Sequence, residues 1–157
     1  MKTHAFRSMI VLIVSLTLQA SDWQTIDVSG LFTFRLPAGF TRRTGDEVRA
    51  EYHKGETKLV YIWGHTESLA YKDRRQASMN DYQESTSRIS GKRANIRTYS
   101  QTVKARRIYR AELNVGNWEK GEVQLYMAIE SSDPAMLDTA REIFKSVSFP
   151  LPPPERP

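Results

Sequence analysis

Cysteine is absent from this chain of 157 residues. That removes a disulfide framework, a thiolate metal site, a cysteine nucleophile and a lipid attached through cysteine. Histidine is scarce: His4, His53 and His65 are all there are. No His-Glu-x-x-His spacing joins them, and His53 and His65 are expected roughly 25–30 Å apart at about 3.3 Å per strand residue. A glycine-rich phosphate loop is missing, since Gly64 and Gly121 stand alone. The serines, notably Ser85, Ser87, Ser90, Ser131 and Ser132, lie in neither a Gly-x-Ser-x-Gly elbow nor a Ser-x-x-Lys arrangement. These absences predict a chain that is not an enzyme and takes no cofactor and no metal.

Long hydrophobic runs are missing as well. Met9 to Leu18 is apolar but too short to cross a bilayer, which takes roughly 20 residues. Lys2 and Arg7 precede it, and Gln19-Ala20-Ser21 supplies small residues for cleavage after Ala20. Residues 1–20 are therefore expected to be a signal peptide, with an uncleaved anchor as the alternative. The expected product is an exported protein, periplasmic or secreted, and not integral to the membrane once cut. An exported domain held without disulfides fits a bacterial source better than a eukaryotic one. The formal charge is +5, and Lys2 and Arg7 account for two of these charges, leaving a mild +3. Residues 21–149 have the length of one domain with one core, and residues 150–157 form a proline-rich tail expected to be disordered.

The clearest element lies near the end. Met136, Leu137, Ala140, Ile143, Phe144 and Val147 form one stripe at helical spacing, with Asp138, Arg141, Glu142 and Lys145 opposite. Asp133 is placed to cap this helix, and Pro134 suits its first position. Strands are expected at Trp23–Val28 and Leu31–Leu36, joined by Ser29-Gly30, then at Glu47–His53 and Leu59–Trp63. In Leu59–Trp63 both alternate sets are apolar, which predicts cover on both sides. Met79, Tyr82, Thr86 and Ile89 have helical spacing, so a second helix is expected over Asp73–Ile89, stopped by Gly91. Ile96–Val103 is expected as an edge strand or one with a wet face, followed by strands at Ile108–Val115 and Gly121–Glu130. The order predicts an α+β fold: an antiparallel β-sheet with helices packed on its faces, an α-β-α sandwich.

Three stretches resemble the PsbP-like family. Phe32-Thr33-Phe34-Arg35-Leu36-Pro37-Ala38-Gly39-Phe40 is similar to its opening strand. Ile89-Ser90-Gly91-Lys92-Arg93-Ala94 resembles its passage from helix to strand. Ala140 to Phe149 resembles its closing helix. The resemblance implies a sandwich of helices about a sheet and a tendency to act as an accessory or binding module, and it brings no catalytic residues.

The remaining signal is basic. Lys104, Arg106, Arg107 and Arg110 crowd one strand start, shortly after Lys92, Arg93 and Arg97. Arg97, Arg106, Arg107 and Arg110 are the candidate binding residues, for an anionic surface of lipid head groups or polysaccharide, or for an acidic protein. A solvated face that protects an edge strand is the competing explanation. Nucleic acid is not expected as a partner of an exported domain. The function expected first is a non-catalytic accessory module that binds a protein or envelope component. Anionic-surface binding is the alternative. A small-ligand or hydrolytic pocket lined by Tyr61, Trp63 and Tyr126 is the third.

Overall fold

The computed structural model describes residues 22–64, 79–117 and 122–150. The expected signal peptide, the tail from Leu151 and His65 lie outside them. Two-residue turns join β-hairpins at Gly55-Glu56, Ser90-Gly91 and Lys104-Ala105. β1 (Trp23–Val28) and β2 (Phe32–Pro37) pair antiparallel as a separate two-stranded sheet. Seven more strands follow: β3 (Thr41–Gly45), β4 (Arg49–Lys54), β5 (Thr57–Trp63), β6 (Asn80–Ile89), β7 (Lys92–Val103), β8 (Arg106–Asn117) and β9 (Glu122–Ser131). They form one sheet in the order β3-β4-β5-β9-β8-β7-β6, with antiparallel neighbours throughout. α1 (Met136–Lys145) closes the described chain.

One face of the large sheet carries the main core. Ala50, Tyr52, Leu59, Tyr61, Leu125, Met127, Ile129, Leu113 and Val115 point to this side. They meet Phe32, Phe34 and Leu36 of β2 and Ala140, Ile143 and Phe144 of α1, all fully buried. The Phe32 ring stands edge-on to Tyr61 and stacks on Trp63, at 5.3 Å between centroids in both cases. Such geometry suits the ring quadrupoles and adds to the area buried. The N-terminal hairpin is tied to the C-terminal end: Thr33 and Ser148 bridge through their backbones, and the Arg35 amide donates to Ser146 Oγ.

The α-β-α sandwich expected from the sequence is not what forms. Among the described residues there is a single helix, on one face, and strands dominate. Residues 80–89 of the expected second helix are β6; residues 73–78 lie outside the description. Ser85, Thr86 and Ser87 have little helical preference, and Ser90-Gly91 at φ 47° and 78° is a tight hairpin turn instead of a helix stop. With β6 outside it, β7 is an interior strand, so of the two expectations for its polarity, an edge or one wet face, the edge is excluded. β3 was not anticipated: Thr41-Arg42-Arg43-Thr44 has no apolar alternation, and all five of its residues are exposed.

α1 keeps the expected stripe but starts later. Asp133 Oδ1 accepts a hydrogen bond from the Ala135 amide in the turn before the helix, and Ala135, with no side-chain cap, takes the cap position.

Candidate functional site

The second face of the sheet, over β7, β8 and β9, is polar yet buried. Strand parity fixes its members: Asn95, Arg97 and Tyr99 on β7, Arg110, Glu112 and Asn114 on β8, and Tyr126, Ala128 and Glu130 on β9. Glu112, only 8% exposed, is the hub. The hydroxyls of Tyr99 and Tyr126 donate to its Oε1 at 2.9 and 3.1 Å. Arg110 Nε lies 3.1 Å from the same oxygen, and Arg97 Nη2 lies 3.6 Å from Oε2. The long ladder β7–β8–β9 sets these neighbours side by side, pairing Arg97 with Glu112 and Tyr99 with Arg110.

Burial and that carboxylate set the electrostatics. Burial, and then the Glu112 charge, pushes the Tyr126 phenol up to about 12. The Tyr99 phenol is raised further by the same two causes. Burial works against the charge of Arg110, but Tyr126, Tyr99 and Glu112 outweigh it and hold the guanidinium more firmly protonated. Two phenols and two guanidiniums surround this one carboxylate, and both phenol hydrogen bonds fall on its Oε1. Beyond it, the buried amide of Asn114 finds no hydrogen-bond partner among the described residues.

At one end of this network the surface opens into a groove of about 200 Å³. Glu56, Gln101, Val103, Ile108, Arg110, Glu130 and Ser131 line it. Val103 is 50% exposed, one of two large hydrophobic residues so placed among those described. Arg106 Nη2 donates to Glu56 Oε1 at 2.8 Å, and Ser132 Oγ donates to Glu56 Oε2 at 2.7 Å. Those bonds, that of Ser132 first, hold the Glu56 carboxyl below the usual range. Arg110 Nη1 and Lys58 Nζ flank Glu130 at 3.7 and 3.2 Å.

The four arginines singled out from the sequence are divided among three environments. Arg97 and Arg110 converge on Glu112, and Arg106 shares their side of the sheet but pairs with Glu56 at the groove's rim. Arg107 points to the opposite face, where it pairs with Asp81 and lies 5.5 Å from the Tyr109 ring centroid. Each has an acidic partner, so they do not make a free cationic stripe. The aromatic trio is divided too: Tyr61 and Trp63 face the core, whereas Tyr126 lies on the second face, so the expected common pocket does not form. His53 Nε2 approaches Glu51 Oε2 at 3.5 Å, and the described residues contain no group of three metal-ligating side chains. Sequence reading missed Glu112 as the hub. Its signal was available in the register of two successive hairpins, which sets Glu112 opposite Arg97.

These features define an antiparallel β architecture backed, among the described residues, by one helix and a short hairpin. No family model and no curated protein matches the sequence. Among solved structures, the chain resembles the Saccharomyces cerevisiae Ran-binding protein Mog1p, with a TM-score of 0.50 and 9% identity over 82% of this chain and 95% of that one. A mutant form of Mog1 is matched at a TM-score of 0.45 and 10% identity, over 80% and 87%. At such identity the likeness concerns the fold alone. It corrects the PsbP-like resemblance drawn from the sequence, which rested on packing patterns. The stretch Ile89–Ala94, expected as a passage from helix to strand, instead holds the turn of the β6–β7 hairpin.

Proposed function

We propose that this chain is an exported, non-catalytic module that binds a protein partner of the cell envelope through the groove beside β8 and β9. The observation that carries the reading is the exposed Val103 with Ile108 at its base, inside a rim of charge pairs, Arg106 with Glu56 and Arg110 with Glu130. An apolar centre surrounded by polar groups is the anatomy of a small protein-docking site. The groove's volume suits one aliphatic side chain of the partner, and the mixed rim suits a partner surface carrying both signs of charge. Mog1p, which shares the fold, is itself described as Ran-binding. Residues 1–20 supply the reason to look in the envelope.

The test is affinity capture from envelope extract with the wild-type chain and with Val103→Asp, at low and high salt. The expected result is one partner held at high salt by the wild type and lost by the variant. The same capture by both would overturn the groove as the site, and capture lost by both at high salt would overturn an apolar contact. The N-terminal sequence of the chain recovered from the envelope tests export separately: a start at Ser21 is expected, and recovery only from the cytosol refutes it.

A further inference from the structure

The seven-stranded sheet ends in two unlike edges. β3 is five residues long, carries exposed Arg42 and Arg43 and shifts register between Arg42 and Thr44. Shortness, charge and bulges are what keep a sheet edge from pairing. β6 is ten residues long and, after a shift between Asn80 and Gln83, runs regularly from Gln83 to Ile89. Gln83 to Arg88 are all exposed, and no described strand lies beyond them. This edge contains neither lysine nor proline.

The Ser90-Gly91 turn decides which main-chain groups face outward. Both residues have positive φ and form a two-residue hairpin whose flanking residues, Ile89 and Lys92, are paired. In such hairpins the flanking pair exchanges hydrogen bonds. Alternation then turns the N–H and C=O of Ser87 and Ser85 towards β7, and those of Arg88, Thr86 and Glu84 away from it.

The geometry points to a second copy of this chain as the occupant of that edge, paired antiparallel about a two-fold axis at Thr86. Thr86 then faces Thr86 of the other copy, and Glu84 faces Arg88 in both directions. Each of these is a hydrogen-bonding position on both strands, so the outward main-chain groups are matched as well. Neighbouring registers lose this. A two-fold axis at Glu84 or Arg88 sets like charges opposite each other, which is destabilising, and an axis at Ser85 or Ser87 leaves both charges without an opposite partner. Within one chain Asn95 Nδ2 and the Tyr82 hydroxyl donate to the two Glu84 carboxylate oxygens, and Arg88 Nη1 donates to Gly91 O; a carboxylate and a guanidinium each have more hydrogen-bonding sites than these, so the pair across the axis adds to them. The product is a closed, isologous dimer with one continuous sheet running through both subunits.

Sedimentation equilibrium of the full chain over a wide concentration range tests the proposal. A monomer–dimer equilibrium is expected. Glu84→Arg and Arg88→Glu each reverse two contacts at once because of the symmetry, and each should raise the dimer dissociation constant about tenfold or more. The double exchange should restore it to within about threefold of the wild type. Thr86→Pro removes an outward N–H without touching the ladder to β7, and should abolish the dimer in a chain whose circular dichroism is unchanged. A monomer at every concentration would overturn the proposal, as would a dimer unaffected by Thr86→Pro.

Discussion

Replacing Glu112 by alanine tests the buried network most directly. The side chain of Arg97 is only 6% exposed, and the change takes away the carboxylate 3.6 Å from its guanidinium. Removing one member of a buried ion pair costs roughly 3–5 kcal/mol, because the other charge stays desolvated. The hydroxyls of Tyr99 and Tyr126 lose their acceptor in the same step. Each such loss costs about 1–3 kcal/mol if the site stays dry, but water entering the truncated space offsets part of it, so the losses do not add. The expected total is therefore about 3–5 kcal/mol, a large share of the roughly 5–15 kcal/mol that holds a domain together. Urea unfolding with a slope of about 1–3 kcal/mol per molar should show the midpoint falling by about 2 M. Glu112→Gln separates charge from hydrogen bonding. It keeps an acceptor for the phenols but removes the negative charge, so tyrosinate absorbance should place Tyr126 below its wild-type value of about 12, yet still above an ordinary tyrosine because its burial persists. A midpoint shift under about 0.3 M in Glu112→Ala, far below the cost of stranding a buried charge, would refute the central role given to this carboxylate.

Phe144, fully buried in the core stripe of α1, should cost about 3–5 kcal/mol when cut to alanine, read as a fall in thermal midpoint; an unchanged midpoint would mean that the helix is held by something else. Between the ordinary tyrosine range and about 12 the folded chain keeps protons on Tyr126 that the unfolded chain has released, so stability is complete below that window and falls as pH rises through it. Tyr126→Phe should flatten this alkaline loss in pH-dependent unfolding, and an unaltered slope would count against the burial of that phenol. Gly45 sits at φ 116°, and a Cβ there would run into the Arg49 carbonyl oxygen, so Gly45→Ala should destabilise the β3–β4 edge by more than about 1 kcal/mol, visible as faster amide exchange across that pair.

Much of the framework was legible because alternation and helical spacing are local signals. The β1–β2 hairpin, β5, β8 and the stripe of α1 all follow from patterns within a dozen residues. The failures were non-local. Tyr82, Thr86 and Ile89 satisfy a helical period by coincidence, and pairing with β7 overrode it. β3 has no apolar pattern because it forms an exposed edge. The arginines were visible, but their role was not, since Glu112 and Asp81 become their partners only through strand register and parity. Burial on the second face was equally hidden: Asn95, Arg97 and Asn114 are polar residues with no local sign of enclosure, and only the assembled sheet shows them buried.

The contact of β2 with the C-terminal end has a consequence for how the chain comes into being. Phe32, Phe34 and Leu36 leave the ribosome among the earliest residues of the domain, yet their seat includes Phe144 and Phe149, and Thr33 bridges Ser148, among the last. The β7–β8–β9 meander can assemble from neighbouring residues as they appear, whereas the first hairpin meets part of its seat early, at Tyr61 and Trp63 of β5, and the rest only when Phe144, Ser148 and Phe149 arrive. A chain released a few residues short of Ser148 would therefore keep that hairpin's contacts with β5 but lose its bridge to Ser148 and the cover of Phe149, leaving a partly bare aromatic edge as a handle for any quality-control machinery that recognises unfinished proteins.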